Sequence, residues 1–230
     1  MVLDLLRKAL EGEPPTGDGP GGHDETARRI LDAALAQFQD FGLRRSTVED
    51  VARRGGLSRI TIYRRFPKKE HLVAAVLLRE LRRFQAEQDA AIAARADVED
   101  QIVESVSFSL SWLRGHVLLN RLLQTEPEAI VPYLTVQGGP VVEAARDHGA
   151  ALIRRAMFGD AEITPEAARD IAMIAELGAR VTLSFVLTRQ SVVPLETLED
   201  ARRYAREYVV PMYRGLARKH GVRLPRPEHG

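Results

Sequence analysis

A chain with this sequence is predicted to adopt an all-α fold, in which a small amino-terminal helical domain precedes a larger carboxy-terminal helical domain. Ala, Leu, Arg and Glu are abundant, and apolar residues recur at the spacings of three and four that place them on one face of a helix. No strand-like run bounded by turn residues occurs before about Val181. Apolar residues make up 45% and charged residues 28% of the 230 residues, as in a typical globular protein.

Proline and glycine divide the chain into four parts. Residues 1–22 end in the run GEPPTGDGPGG, which cannot continue a helix, and they are expected to form a flexible arm. Residues 23–70 are predicted to form a three-helix domain, residues 71–220 a larger helical domain and residues 221–230 a tail. Outside the first domain, helices are predicted near 68–94, 98–114, 117–125, 140–158, 165–191 and 195–219.

Capping residues and apolar stripes predict the helices of the three-helix domain. An apolar stripe over residues 30–41 predicts the first helix. Ser46 and Glu49 have the spacing of a capping box, which predicts the start of a second helix near residue 46. A pair of glycines then supplies a turn, and Ser58 is positioned to cap a short third helix. Two helices joined by a tight glycine turn within about 20 residues indicate a helix-turn-helix.

Positive charge is concentrated in this domain. Residues 44–69 contain nine Lys or Arg and two acidic residues, a local excess of seven, although the net charge of the whole chain is only +1. Such clustering is typical of a surface that binds phosphate groups. A solvated basic face is the alternative, and charge alone leaves both open.

The third helix has an apolar side and a free side. At about 100° per residue, Ile62 and Phe66 lie together and are expected to be buried. Ile60 and Arg64 then point away from them. Arg64 is predicted to contact a base, in the first place guanine. An outward Ile60 is predicted to pack on a thymine methyl group, or alternatively on a neighbouring element.

The segment from Ser46 to Glu70, STVEDVARRGGLSRITIYRRFPKKE, resembles the signature of the TetR family of bacterial transcriptional regulators. That signature reads Thr-x-x-x-(Ile/Val)-Ala, Gly-(Val/Leu)-Ser, then Thr-(Leu/Ile)-Tyr-x-x-Phe-x-x-Lys-Glu. The matching positions here are Thr47, Val51, Ala52, Gly56, Leu57, Ser58, Thr61, Ile62, Tyr63, Phe66, Lys69 and Glu70. With the preceding helix, the resemblance covers about residues 24–72.

The resemblance implies a repressor that binds double-stranded DNA at a palindromic operator as a homodimer and is released by a small-molecule ligand. It implies that Thr61 and Tyr63 contact the DNA backbone and Lys69 a phosphate. The full set of expected DNA contacts is Arg45, Ser46, Thr47, Ser58, Arg59, Ile60, Thr61, Tyr63, Arg64, Arg65 and Lys69. Ile60 stands where the family usually has a small residue, and Arg65 where it often has histidine. Both departures bear on the operator sequence.

The resemblance also implies a dimer interface formed by the last two long helices as a four-helix bundle. From the residues alone, the same stripes could close the core of a monomer. Small residues in one helix and large apolar residues in the next are expected to meet the partner. The predicted interface residues are Ala175, Ala179, Thr182, Tyr204, Tyr208 and Met212.

A ligand cavity is expected among the middle helices. Phe108, Trp112 and His116 are spaced four apart and are predicted to line it, with ordinary core packing as the alternative. Arg180 interrupts an apolar run, and an ion pair with Glu176 is the first expectation for it. Recognition of a ligand by Arg180 and Ser184 is the alternative. The ligand is expected to be small and apolar or amphipathic.

Several classes of function are disfavoured. The chain has no cysteine, its six histidines lack metal-ligand spacing, and no G-x-S-x-G, Walker or H-E-x-x-H motif is present. We therefore expect no enzyme activity, cofactor or metal. No apolar stretch reaches the roughly 18 residues of a membrane span, and the first residues make a poor secretory signal. A cytoplasmic protein, associated with the nucleoid when bound to DNA, is expected.

A helical protein-interaction module without sequence-specific DNA binding is the alternative function. It would explain the many helices. It would not explain an outward face of Arg64, Thr61 and Ile60 in a strongly basic segment.

Overall fold

The computed structural model describes residues 25–222. Within this range every regular element is a helix, so the predicted all-α fold is confirmed. In chain order the elements are α1 (Glu25–Phe41), α2 (Val48–Gly55), α3 (Arg59–Arg65), α4 (Lys69–Ala93), α5 (Val98–Gly115), α6 (Val117–Thr125), α7 (Pro127–Leu134), α8 (Gly139–Phe158), α9 (Pro165–Leu187), α10 (Leu198–Tyr204), a π-helical segment (Ala205–Val209) and α11 (Val210–Lys219).

The predicted arm and most of the predicted tail lie outside the described residues. Among the helices of residues 25–222, none combines the length and the apolar character needed to cross a membrane.

Contacts between helices group the described residues into two compact units. The first contains residues 25–83 and 116–137, and the second contains residues 84–115 and 138–222. This grouping differs from the domain boundary after residue 70 that was predicted from sequence. The first part of α4 and the whole of α6 and α7 belong with the amino-terminal helices.

The core of the first unit explains that grouping. Leu118 and Leu122 of α6 are each 1% exposed and belong to the same buried cluster as Ile30 of α1 and Ile62 of α3. A fully buried Leu or Ile side chain contributes about 1.5–3 kcal/mol to stability. The three amino-terminal helices therefore share one core with α6 and α4.

The start of α2 is set one residue later than its sequence suggested. Thr47 is the N-cap: its hydroxyl accepts the Asp50 amide proton at 3.1 Å, and the Asp50 carboxylate accepts the Thr47 amide proton at 3.0 Å. The predicted capping box of Ser46 and Glu49 is therefore wrong. Gly56, at φ +60°, ends α2 in the left-handed conformation that glycine adopts without strain.

The second unit has α8 and α9 packed along each other. Ile153 and Met157 of α8 and Ile171 of α9 are buried in one cluster, which Leu216 of α11 completes. Before α11 the chain forms the π-helical segment, in which the Val210 amide donates to the carbonyl of Ala205. The next residue, Pro211, has no N–H to donate, so the regular series of α-helical hydrogen bonds cannot continue through this point.

Candidate nucleic-acid interface

The short helix α3 has one buried and one exposed side. Ile62 is 0% and Phe66 9% exposed, whereas Ile60 is 80% exposed. Arg64 is also exposed, and Tyr63 is 43% exposed on the flank. The orientation predicted from helical periodicity is therefore confirmed, and the free side of the helix carries Ile60 and Arg64.

Hydroxyl groups cluster at the amino-terminal end of α3. Ser58 is the N-cap and its Oγ accepts the Thr61 amide proton at 3.1 Å. The same Oγ lies 2.9 Å from the Thr61 hydroxyl. Ser58 is exposed and Thr61 half-buried, so the cap leaves hydroxyl groups beside the free side of the helix.

Much of the positive charge around α3 is balanced by carboxylates. At least four of the nine cations of residues 44–69 form ion pairs: Arg44 with Glu128, Arg53 with Asp50, Arg54 with Asp40 and Arg59 with Glu49. Asp40 and Glu128 lie outside the counted segment, so the sequence-based excess of seven overstates the local charge.

The ion pair of Arg59 and Glu49 connects the two helices of the motif, with Nη1 to Oε1 at 2.8 Å. The hydrogen bond from Arg59 lowers the pKa of the Glu49 carboxyl, and in return Glu49 raises the pKa of Arg59. Arg45, Arg64 and Lys68 are exposed and form no ion pair with any residue of 25–222. These three cations are the ones most directly available to phosphate or bases.

Two predicted DNA contacts have structural partners instead. Ser46 is 0% exposed and its hydroxyl donates to the Gly42 carbonyl at 2.6 Å. The prediction that Ser46 contacts DNA is therefore wrong, because the side chain cannot reach a ligand. The Lys69 ammonium donates to the Leu43 carbonyl at 2.5 Å, which holds the loop before α2. Two of its hydrogens remain for other acceptors.

The same loop is held by a residue that the sequence did not single out. Both carboxylate oxygens of Glu126, between α6 and α7, lie 3.1 Å from the Arg44 amide nitrogen. Glu126 is 5% exposed. It lies 82 positions further along the chain than Arg44, and no local pattern reveals such a pairing.

His116 does not share a helix face with Phe108 and Trp112, contrary to the prediction. α5 ends at Gly115, and His116 is the N-cap of α6 in the first unit. Its Nδ1 accepts the Leu119 amide proton at 3.1 Å, and its Nε2 lies 3.1 Å from Glu80 Oε2. Because Nδ1 accepts, Nε2 carries the proton that is donated to Glu80.

Phe108 and Trp112 belong to an aromatic cluster in the second unit. Phe84 lies at ring-centroid distances of 5.8 Å from Phe108 and 5.1 Å from Trp112. The Trp112 indole donates to Glu87 at 2.9 Å. All three rings are partly exposed, so the cluster retains apolar surface that packing within the unit leaves uncovered.

A buried polar group lies one helical turn from Phe84. The side chain of Gln88 is 3% exposed; its amide nitrogen donates to Ser109 Oγ at 2.8 Å and its oxygen lies 2.9 Å from His148 Nε2. Burial lowers the pKa of His148, which favours the neutral ring. Sequence analysis missed Gln88 and His148, because the two residues are 60 positions apart and no local pattern connects them.

Arg180 and Ser184 lie on an exposed face of α9. Arg180 forms the expected ion pair with Glu176, with Nε to Oε1 at 2.9 Å. An exposed position does not suit a residue that lines an enclosed ligand site. The ion pair that was the first expectation for Arg180 is therefore confirmed, and ligand recognition by Arg180 and Ser184 stays a prediction that their exposed positions do not favour.

The outer side of the last long helices is apolar. Met173, Leu177 and Val181 of α9 are 57%, 50% and 40% exposed and are spaced four apart. Tyr208 and Met212 are 64% and 41% exposed. We call these five residues the apolar face.

The other predicted interface residues lie deeper. Ala175 is 7% exposed within the core of α8 and α9, so its predicted place in a dimer interface is wrong. Ala179 and Thr182 are half-buried. Tyr204 packs on Phe185 with ring centroids 5.6 Å apart and on Tyr208 with centroids 5.9 Å apart. It therefore supports the exposed Tyr208.

The residues that build the α3 surface also carry recognisable similarity. Residues 30–76 match the family model described as bacterial regulatory proteins, tetR family. The helix-turn-helix of this chain is thus similar to that of the TetR family. The matched range includes the buried Ile62 and Phe66 and the exposed Ile60 and Arg64, so the family match and the geometry concern the same surface.

Curated proteins similar to this chain include named regulators. The HTH-type transcriptional repressor KstR of Mycolicibacterium smegmatis is 38% identical over 109 residues, which are 47% of this chain and 48% of KstR. The uncharacterized HTH-type transcriptional regulator Rv2250c of Mycobacterium tuberculosis is 30% identical over 102 residues, 44% of this chain and 52% of the relative. The chain thus spans about half the length of the curated relatives it matches.

Solved structures extend the likeness in fold. AlkX, a TetR family repressor from Dietzia sp. strain DQ12-45-1b, aligns with a TM-score of 0.60 and 22% identity over 82% of this chain and 97% of its own. A TetR-family transcriptional regulator from Streptomyces coelicolor aligns with a TM-score of 0.54 and 15% identity over 87% of both chains. The likeness in fold to these two structures therefore extends well beyond residues 30–76.

Proposed function

We propose that this chain is a TetR-family transcriptional repressor that binds a palindromic operator as a homodimer and leaves it when a small molecule binds. The observation that carries the proposal is the division of α3: Ile62 holds the helix in the core, while Ile60 and Arg64 remain exposed. A helix of seven residues is about 10 Å long and fits a major groove about 12 Å wide. The similarity to a repressor, KstR, supports the direction of regulation.

Bases are proposed to be read by Arg64 and Ile60. The Arg64 guanidinium is exposed and can donate two parallel hydrogen bonds to the O6 and N7 atoms of guanine. Ile60 can pack on a thymine methyl group, which offsets the cost of exposing a large apolar side chain to water.

Phosphate contacts are proposed for polar side chains around α3. Arg59 is exposed and its ion pair with Glu49 is solvated, so replacing or sharing that partner with a phosphate costs little. The proposed set is Arg45, Thr47, Ser58, Arg59, Thr61, Tyr63, Arg65 and Lys69. Such contacts fix register and supply affinity that does not depend on sequence.

Homodimerisation is proposed to occur through the apolar face of α9 and the last helices. One helix-turn-helix reads too few base pairs for a unique genomic site, and a second copy supplies the other half-site. Contiguous exposed apolar side chains such as Met173, Leu177 and Val181 are typical of protein interfaces. Half-buried Ala179 and Thr182 beside them allow close approach of a partner helix.

The ligand is proposed to be small and amphipathic. Phe84, Phe108 and Trp112 offer partly exposed aromatic surface to its apolar body. Gln88 lies one helical turn from Phe84, and together with the neutral His148, to which it is hydrogen-bonded, it can hydrogen-bond a polar end. Release from DNA in the cytoplasm would follow from preferential binding of the ligand to the form with lower DNA affinity.

Selection of bound fragments from random duplex DNA tests this function. We expect enrichment of a palindrome whose half-sites lie about 10–10.5 base pairs apart or a multiple of it, and an affinity that falls steeply with salt. Repeating the selection with small-molecule extracts should identify fractions that release the DNA. Enrichment of no sequence, together with binding that is insensitive to salt, would contradict the proposal.

A further inference from the structure

Glu126 is a buried carboxylate whose partner is the backbone of a distant loop. It stands between α6 and α7, is 5% exposed, and both of its oxygens lie 3.1 Å from the Arg44 amide nitrogen. Hydrogen bonds to an ionised acceptor are about twice as strong as those between neutral groups. The Glu126 carboxylate therefore fixes the loop between α1 and α2.

The loop is shaped to accept this carboxylate. Gly42 has φ +80°, and a Cβ added there would overlap Glu126 Oε1. A side chain at position 42 would thus be excluded both by the backbone conformation and by the space that Glu126 occupies. Ser46 completes the arrangement by donating to the Gly42 carbonyl at 2.6 Å.

A third contact holds the loop from the other side. The Lys69 ammonium at the start of α4 donates to the Leu43 carbonyl at 2.5 Å. Leu43 and Arg44 are therefore held by two charged groups, one from the start of α4 and one from the junction of α6 and α7, and Arg45 follows directly with an exposed side chain. Two positions later, Thr47 caps α2.

We propose that Glu126 is a positioning residue for DNA binding: by holding the Arg44 amide, it places Arg45 where its guanidinium meets a DNA phosphate. This inference rests on the proposed function. Arg45 forms no ion pair with any residue of 25–222, so its placement depends on the backbone that carries it. Glu126 thus acts on DNA through the loop and without touching it.

The neighbouring Glu128 provides a matched control. It pairs with the Arg44 guanidinium, and both side chains are more than half exposed, at 57% and 70%. Exposed pairs of this kind contribute little. Glu126 and Glu128 therefore offer the same substitution, Glu→Ala, two positions apart on one segment, and only Glu126 accepts a hydrogen bond from the loop backbone.

The test measures the salt dependence of binding to a random-sequence duplex of about three helical turns. The slope of log K against log salt is negative, and each lost phosphate contact reduces its magnitude by about 1. We expect Arg45→Ala and Glu126→Ala each to reduce the magnitude of the slope by about 1, the double variant to reduce it no further, and Glu128→Ala to leave it unchanged. All proteins are compared at a temperature where thermal melts show them folded.

Gly42→Ala is the second perturbation, because its methyl group displaces the Glu126 carboxylate without altering any charge. It should reduce the magnitude of the slope by the same amount, and it serves as the test if Glu126→Ala does not fold. A wild-type slope in both Glu126→Ala and Gly42→Ala overturns the inference, whatever happens to their melting temperatures. So does a wild-type slope in Arg45→Ala. Wild-type protein that binds DNA without salt dependence overturns the proposed function itself.

Discussion

Ile60 and Ile62 lie two positions apart on α3 and have opposite surroundings: Ile60 is 80% exposed and Ile62 is 0% exposed. Because successive residues of an α-helix are rotated by about 100°, two positions turn a side chain nearly to the opposite side. The same residue type therefore anchors the helix at one position and is available to a partner at the other. Substituting each isoleucine in turn therefore distinguishes a contribution to stability from a contribution to binding.

Ile62→Ala should destabilise the protein strongly, and Ile60→Ala should not. Truncation of a buried isoleucine removes packing and leaves a cavity, which costs about 2–5 kcal/mol of unfolding free energy. Truncation of an exposed side chain changes it by about 0.5 kcal/mol or less. Urea titration of both variants measures the difference. Equal losses would show that α3 does not pack on the core through Ile62.

Arg64→Ala should reduce discrimination between the selected operator and random DNA. Loss of a bidentate base contact costs about 1–3 kcal/mol on the operator and little on random sequences. Arg53→Ala is the control, since this exposed arginine of α2 is paired with Asp50 and is assigned no base contact. Filter binding or fluorescence anisotropy on both DNAs gives the two affinities. Equal loss on both DNAs with Arg64→Ala would exclude a base contact.

The orientation of α3 could be predicted from sequence because it depends on periodicity within one helix. Ile62 and Phe66 are four residues apart, and burial of one implies burial of the other. The start of α2 was predicted one residue early, because Ser46 and Thr47 are both suitable caps. The choice between them depends on the Gly42 carbonyl, which accepts the Ser46 hydroxyl and draws it into the core.

Pairings between distant segments could not be predicted from one sequence. Glu126 reaches Arg44 across 82 positions, and His116 reaches Glu80 across 36. Ala175 and Ala179 are four residues apart in the same stripe of small residues on α9, yet Ala175 is buried against α8. A stripe of small residues shows that close packing occurs, but it does not show whether the neighbour belongs to the same chain.

Acid should weaken the first unit through Glu80, a buried residue that is 4% exposed. Burial by itself raises the pKa of Glu80, but the hydrogen bond from His116 and the charges of Arg83 and Arg79 outweigh it, so the pKa is lowered from its ordinary 4.5. The ionised carboxylate therefore stabilises the folded state above about pH 4.5, and this contribution is lost as pH falls further.

The corresponding experiment compares wild type with Glu80→Gln across pH 7 to 3 by chemical denaturation. The variant should be less stable near neutrality, and the difference in unfolding free energy should shrink as pH falls below 4.5. Glu143→Gln is the control, because Glu143 lies on the surface with a side chain that is 66% exposed. A wild-type advantage over Glu80→Gln that stays constant with pH would contradict the assignment.

Leu177→Glu should convert the proposed dimer to a folded monomer. Leu177 is 50% exposed in the single chain, so a glutamate is solvated there, but it would be buried without a partner in an interface between two copies. Sedimentation velocity should then show the monomer mass at micromolar concentration, and circular dichroism should remain helical. Ala151→Glu introduces the same charge at an exposed position of α8, outside the apolar face, and should leave the dimer intact. Operator affinity should fall with Leu177→Glu, because two half-sites are no longer bound by one particle. A Leu177→Glu protein that sediments as a dimer would place the interface elsewhere.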